Sequence, residues 1–169
     1  MYKQFTYFWL SFAILVVQIF LLDNISIAMW LRPMIFPLVV LLLPMEWRMV
    51  WTLLTALAVG LTMDLALGGS GLYTSSLLPL AVLRPWIMYL TTGRTVEHSD
   101  QSALLSRLFT KQVMLYTAGA MLVYHTLFFM LETLSFASPL RLVATILCST
   151  LCTMVVSTPI IHLYKSKIA

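Results

Sequence analysis

Charge is what this chain has least of. Only 9% of its 169 residues are Asp, Glu, Lys or Arg, against 61% that are apolar. A soluble domain carries about 25% charged residues. A water-soluble fold of this length has too little polar surface to cover so much apolar side chain, so a separate soluble domain is excluded. Cysteine is nearly missing: Cys148 and Cys152 stand alone, four apart inside an apolar run, and no second pair completes a metal site. They read as small packing residues rather than redox groups. There is no His-Glu-x-x-His metal motif, no phosphate loop, no internal repeat and no low-complexity tract. The sequence therefore implies no metal, no cofactor and no nucleotide hydrolysis. The net charge of +4 comes from basic residues scattered over the ends of apolar runs, with no basic face for nucleic acid.

What is present is long apolar runs, with a mean hydropathy of +0.96. The runs are continuous rather than alternating, which selects helices over a membrane barrel. The expected fold is a single all-α polytopic membrane domain over residues 1–169, with about six transmembrane helices. Five spans are clear: Phe5–Leu22, Arg48–Leu67, Gly71–Leu90, Val113–Leu134 and Leu142–Tyr164. The first follows Lys3 and resembles a signal peptide, but it is long for one and reads as a retained span. The sixth apolar segment, Ile27–Pro44, holds Arg32, Pro33 and Pro37. It is expected to be short, broken or re-entrant. Broken backbone at membrane depth must be covered by protein or line a wet cavity, so this segment is expected inside the bundle.

Lys and Arg set the orientation. With six spans and the N-terminus inside, seven basic residues lie inside and two outside, with Arg84 within a span. Five spans with the N-terminus outside score equally. Both arrangements place Arg94–Lys111 and the C-terminus in the cytoplasm. Within the polar stretch Thr91–Lys111, Ala103–Lys111 can form a short amphipathic helix on the inner membrane surface, or serve as a plain basic loop.

Polar groups inside spans are the informative ones, because lipid makes them costly. Asp64 lies in Ala56-x-x-x-Gly60-x-x-x-Asp64, one helix face whose small residues admit another helix closely. A glycine-rich turn, Gly68-Gly69-Ser70-Gly71, follows. Asp64 is expected to brace or cap near this turn, and Asp64→Asn would then be nearly silent. Arg84 precedes Pro85, where a kink is expected. It sits roughly 9 Å from the inner end of its span, and Asp64 roughly 25 Å from the inner end of its own. Arg84 is expected to snorkel inward, or to bind freed carbonyls or a lipid phosphate. His125 shares a stripe with Ala118 and Glu132 and lies roughly 20 Å from the inner end, which puts an Asp64–His125 contact within reach, although a lone histidine in a packed bundle is usually structural. Ser70 with a span histidine also resembles the dyad of rhomboid intramembrane proteases. No earlier His-x-x-x-Asn helix supplies the oxyanion donors, and serine is ordinary in such a turn.

Gly60-Leu-x-x-Asp64, a small-residue turn ending in Gly71-Leu72, and Leu83-Arg84-Pro85 together resemble MreD, the rod shape-determining membrane protein family of bacteria. The segment Pro33–Pro44, the Gln18 to Asn24 stretch, the length and the span layout are also similar to that family. The matching positions are Gly60, Asp64, Gly71, Arg84 and Pro85. The resemblance implies a non-enzymatic scaffold of the cell-elongation and peptidoglycan-synthesis machinery in the inner membrane. It implies six spans with both termini inside, and a fold similar to the substrate-binding components of energy-coupling-factor transporters. It implies association with MreC-like bitopic protein, MreB-like filaments and peptidoglycan synthases, and no catalytic residues. The residues alone leave two other readings: a small-solute-binding component of a transporter using the Asp64–His125 region, and the rhomboid-like protease.

Overall fold

The computed structural model describes residues 2–22, 32–43, 47–93, 110–133 and 139–168. Every regular element among them is helical. Helix α1 runs Tyr2–Val17 and ends in a π-helical turn, Gln18–Leu22. Helix α2 is one short piece, Pro37–Leu41. Helices α3 (Met49–Leu67), α4 (Leu72–Thr92), α5 (Thr110–Thr133) and α6 (Pro139–Ile168) follow. Three stretches are long and apolar enough to cross a membrane: Met49–Leu67, Lys111–Thr133 and Leu140–His162. The surface helix expected at Ala103–Lys111 falls mainly outside the described residues, as does Asn24.

Each boundary has a local cause. Helix α3 ends at Gly68, whose φ of +68° is the left-handed conformation that glycine reaches without a Cβ clash. Gly71, at φ +91°, then opens α4. The segment before α2 is irregular, since Pro33 and Pro37 remove two backbone donors, while Phe36, directly ahead of Pro37, already has helical dihedrals (φ −59°, ψ −27°) and leads into α2. Pro37 then sits in the first turn of α2, where its missing N–H costs nothing. Helix α4, in contrast, continues through both Pro79 and Pro85.

Helices α3, α4, α5 and α6 pack in chain order as antiparallel neighbours, and α2 contacts α3, α4 and α5. Residues 33–43 are all buried, so the broken segment lies inside the bundle. Phe36 meets Tyr73 and Tyr124 edge-on at centroid distances of 5.7 and 5.4 Å, and Tyr73 stacks on Phe128 at 5.1 Å. The outer surface is apolar: Trp51, Leu54, Leu61 and Leu65 on α3 and Leu147, Leu151 and Val155 on α6 are exposed. Such a surface suits hydrocarbon, where close packing and internal hydrogen bonds hold helices together.

Candidate functional site

The polar side chains of the spans form two groups, each built around a break in regular backbone. The first is the turn between α3 and α4. Asp64, in the last turn of α3, reaches forward to the start of α4. Its Oδ1 accepts the N–H groups of Gly71 and Tyr73, each at 3.1 Å. Its Oδ2 accepts the N–H of Thr74 at 2.9 Å and the Thr74 hydroxyl. The first N–H groups of a helix lack partners within it, and that end carries partial positive charge. Asp64 answers both needs, as a cap supplied by the preceding helix. The Asp64 carbonyl also receives the N–H of Gly69 at 3.1 Å.

Four residues before Asp64, Gly60 allows this approach. A Cβ at Gly60 would lie 2.7 Å from Thr74 Cα, a backbone atom that cannot swing aside. Ala56 and Gly60 are buried on the same face. The helix admitted by this small-residue face is therefore α4 of the same chain, and it brings Thr74 to Asp64.

The second group surrounds the broken segment. Gln18, in the π-helical turn of α1, spans two of its peptide groups: Nε2 donates to the Pro33 carbonyl at 3.2 Å, and Oε1 accepts from Ile35 N–H at 2.7 Å. From α6, the Ser149 and Thr153 hydroxyls accept the N–H groups of Arg32 and Met34 at 3.4 and 3.1 Å. At the far end, Arg84 donates to the carbonyls of Leu41 (3.2 Å) and Leu43, and through Nε to the Tyr116 hydroxyl at 3.3 Å. The segment's own bonds supply the rest, with Leu38 N–H to Ile35 and Val39 N–H to Phe36, each at 3.0 Å. In a membrane interior each unsatisfied backbone group costs several kcal/mol, so side chains from three helices replace the missing helical ladder.

Two sequence expectations change here. Arg84 does not snorkel: it is only 3% exposed. The carbonyls it binds belong to the end of α2 and to Leu43 just beyond it, not to its own helix behind the exposed Pro85. The Asp64–His125 contact does not form. His125 Nδ1 pairs with the Met121 carbonyl at 2.8 Å, and Nε2 faces Thr153 Oγ1 at 3.4 Å, so the histidine belongs to the second group. Since a carbonyl only accepts, Nδ1 carries the proton there. The stripe from His125 to Glu132 is seen at its outer end, where Glu132 pairs with Arg32 at 2.6 Å on the surface.

The same geometry separates Ser70 from His125. Ser70 is exposed on the turn at φ +49°, while His125 is fully buried with its ring nitrogens on Met121 and Thr153. Ser70 and His125 therefore do not form a dyad. Among the described residues no group of three His, Cys, Asp or Glu is placed to hold a metal.

Sequence reasoning missed Gln18 and the α6 hydroxyls as a set. A signal existed: Gln18 is the one amide inside the run Phe5–Leu22, and Ser149, Thr153 and Ser157 recur every four residues along α6. Ser149, Thr153 and Ser157 are fully buried on one face. Their partners are backbone atoms more than a hundred residues away for Ser149 and Thr153, which periodicity does not reveal. No protein-family model, curated protein or solved structure matches the chain.

Proposed function

We propose that this chain is a non-enzymatic membrane scaffold of the bacterial cell-elongation machinery, of the MreD kind. In this reading it lies in the inner membrane with six spans and both termini in the cytoplasm. Helices α1 and α4 and the broken segment complete the set begun by α3, α5 and α6. The fold is then of the type used by substrate-binding components of energy-coupling-factor transporters. Its partners would be an MreC-like bitopic protein, MreB-like filaments and peptidoglycan synthases.

The observation that carries this reading is the use made of the polar side chains within the spans. Asp64, Gln18, Arg84, Ser149 and Thr153 hold backbone, and His125 is tied to Met121 and Thr153. A catalytic or transport site would need polar groups directed at a substrate, whereas these are directed at the chain itself. What remains for interaction is a rigid array of apolar helix faces. Packing against partner spans is the task such faces perform.

The test is depletion in a rod-shaped host. Loss of the protein should turn rods into spheres and mislocalise new wall synthesis, and Ser70→Ala and His125→Gln copies should restore rods. Depleted cells that stay rod-shaped would contradict the scaffold role. Rescue that fails only for both Ser70→Ala and His125→Ala would favour the protease reading instead.

A further inference from the structure

One end of the helix array carries a band of exposed aromatic and basic side chains that the internal braces do not use. Trp47 and Trp51 are 37% and 59% exposed at the start of α3, with Arg48 exposed between them. Trp86 and Tyr89 are 59% and 49% exposed near the end of α4. The contact between Gly60 and Thr74 fixes the register of these antiparallel helices. Arg48 and Trp86 each lie twelve residues from that contact, about 18 Å along a helix axis, and so share one level. Gly119 of α5 lies against Thr91 and Ile87 of α4, which places exposed Lys111, eight residues earlier, beyond the end of α4. The 19 residues of α3 between this band and the Gly68 turn measure about 28 Å, close to the roughly 30 Å of a bilayer's hydrocarbon core.

We propose that this end of the bundle binds the headgroups of anionic phospholipid. Trp and Tyr favour the membrane–water interface, where the ring contacts acyl chain and the N–H or O–H reaches glycerol or phosphate. Arg48 makes no ion pair among the described residues, and neither does Lys111. The Arg48 guanidinium stands at the level of the exposed rings, with apolar ring surface at the same depth, and the Lys111 ammonium lies further out at the same end. The guanidinium of Arg48 can take a phosphate through two parallel N–H bonds. The opposite end differs, since its Arg32 is already paired with Glu132. Anionic lipid therefore has charge complementarity at the Arg48–Lys111 end, whereas a zwitterionic lipid adds its own cation there.

The experiment uses the full-length protein in nanodiscs and detergent, read by native mass spectrometry of retained lipid. Phosphatidylglycerol is compared with phosphatidylcholine of the same acyl chains. Wild type should retain phosphatidylglycerol preferentially. Each basic residue near an anionic surface contributes about fivefold, so Arg48→Gln/Lys111→Gln should lose preference by at least about that factor. Arg141→Gln, at the other end, should keep it. Both sites are exposed, and a monodisperse elution profile confirms that the double variant is folded. Equal retention of the two lipids by wild type, or unchanged phosphatidylglycerol retention by the double variant, would overturn the proposal.

Discussion

Replacing Asp64 by asparagine should destabilise the protein, even though the carboxylate does structural work. Four donors converge on the two oxygens: the N–H groups of Gly71, Tyr73 and Thr74, and the Thr74 hydroxyl. Asparagine has one acceptor oxygen and an NH2 group in place of the other. Whichever way the amide is turned, its NH2 faces a backbone N–H. The Thr74 hydroxyl can rotate and accept, and the exposed Gly71 N–H can bond to water, so those two losses are small. One part-buried N–H, of Tyr73 or Thr74, is left without an acceptor. A hydrogen bond to a charged group contributes about 1.5–3 kcal/mol, and an anion at a helix start about 0.3–1 kcal/mol. Discounted for partial exposure, Asp64→Asn should cost about 2 kcal/mol and Asp64→Ala about 3 kcal/mol or more. The assay is unfolding in mixed detergent–SDS micelles, with hydrogen exchange at the Tyr73 and Thr74 amides. A cost for Asn below about 0.5 kcal/mol, the scatter of neutral surface changes, with both amides still protected, would refute the cap.

Gly60→Ala should cost about 1–3 kcal/mol through overpacking against Thr74 Cα; Gly60→Leu should be worse, and SDS unfolding measures both. Arg84→Met strips the Leu41 and Leu43 carbonyls of their donor; it should cost about 3 kcal/mol or more in the same assay, and Arg84→Lys should recover only part. Gln18→Leu removes the donor to Pro33 and the acceptor for Ile35; it should cost about 2–4 kcal/mol and speed amide exchange at Ile35 before that at α4. A serine-reactive activity probe should leave the wild type unlabelled; labelling lost in both Ser70→Ala and His125→Ala would reverse the reading of the Gly68–Gly71 turn.

The parts of the architecture that depend on local chemistry were legible in the sequence. Pro33 and Pro37 announced a broken segment, and the cost of bare backbone in lipid placed it inside the bundle. Ala56, Gly60 and Asp64 announced a closely packed face beside a glycine turn. The tertiary pairings were not legible. Arg84 lies more than forty residues from the carbonyls it holds, so its own neighbour Pro85 pointed to the wrong set. The expectation of a nearly silent Asp64→Asn becomes a predicted cost, because the number of donors reaching the carboxylate depends on the path of the α3–α4 turn. His125 lost its expected partner for a similar reason: depth along a helix leaves open which face the ring occupies, and here it is the α6 face.

As a scaffold, the chain would act by binding other membrane proteins rather than by chemistry. A pull-down of tagged protein from native membranes in gentle detergent, with quantitative mass spectrometry, tests it most directly. A scaffold should bring with it a single-span envelope protein and peptidoglycan synthases. Recovery of an ATPase module with a retained small solute, without any wall-synthesis protein, would contradict that role.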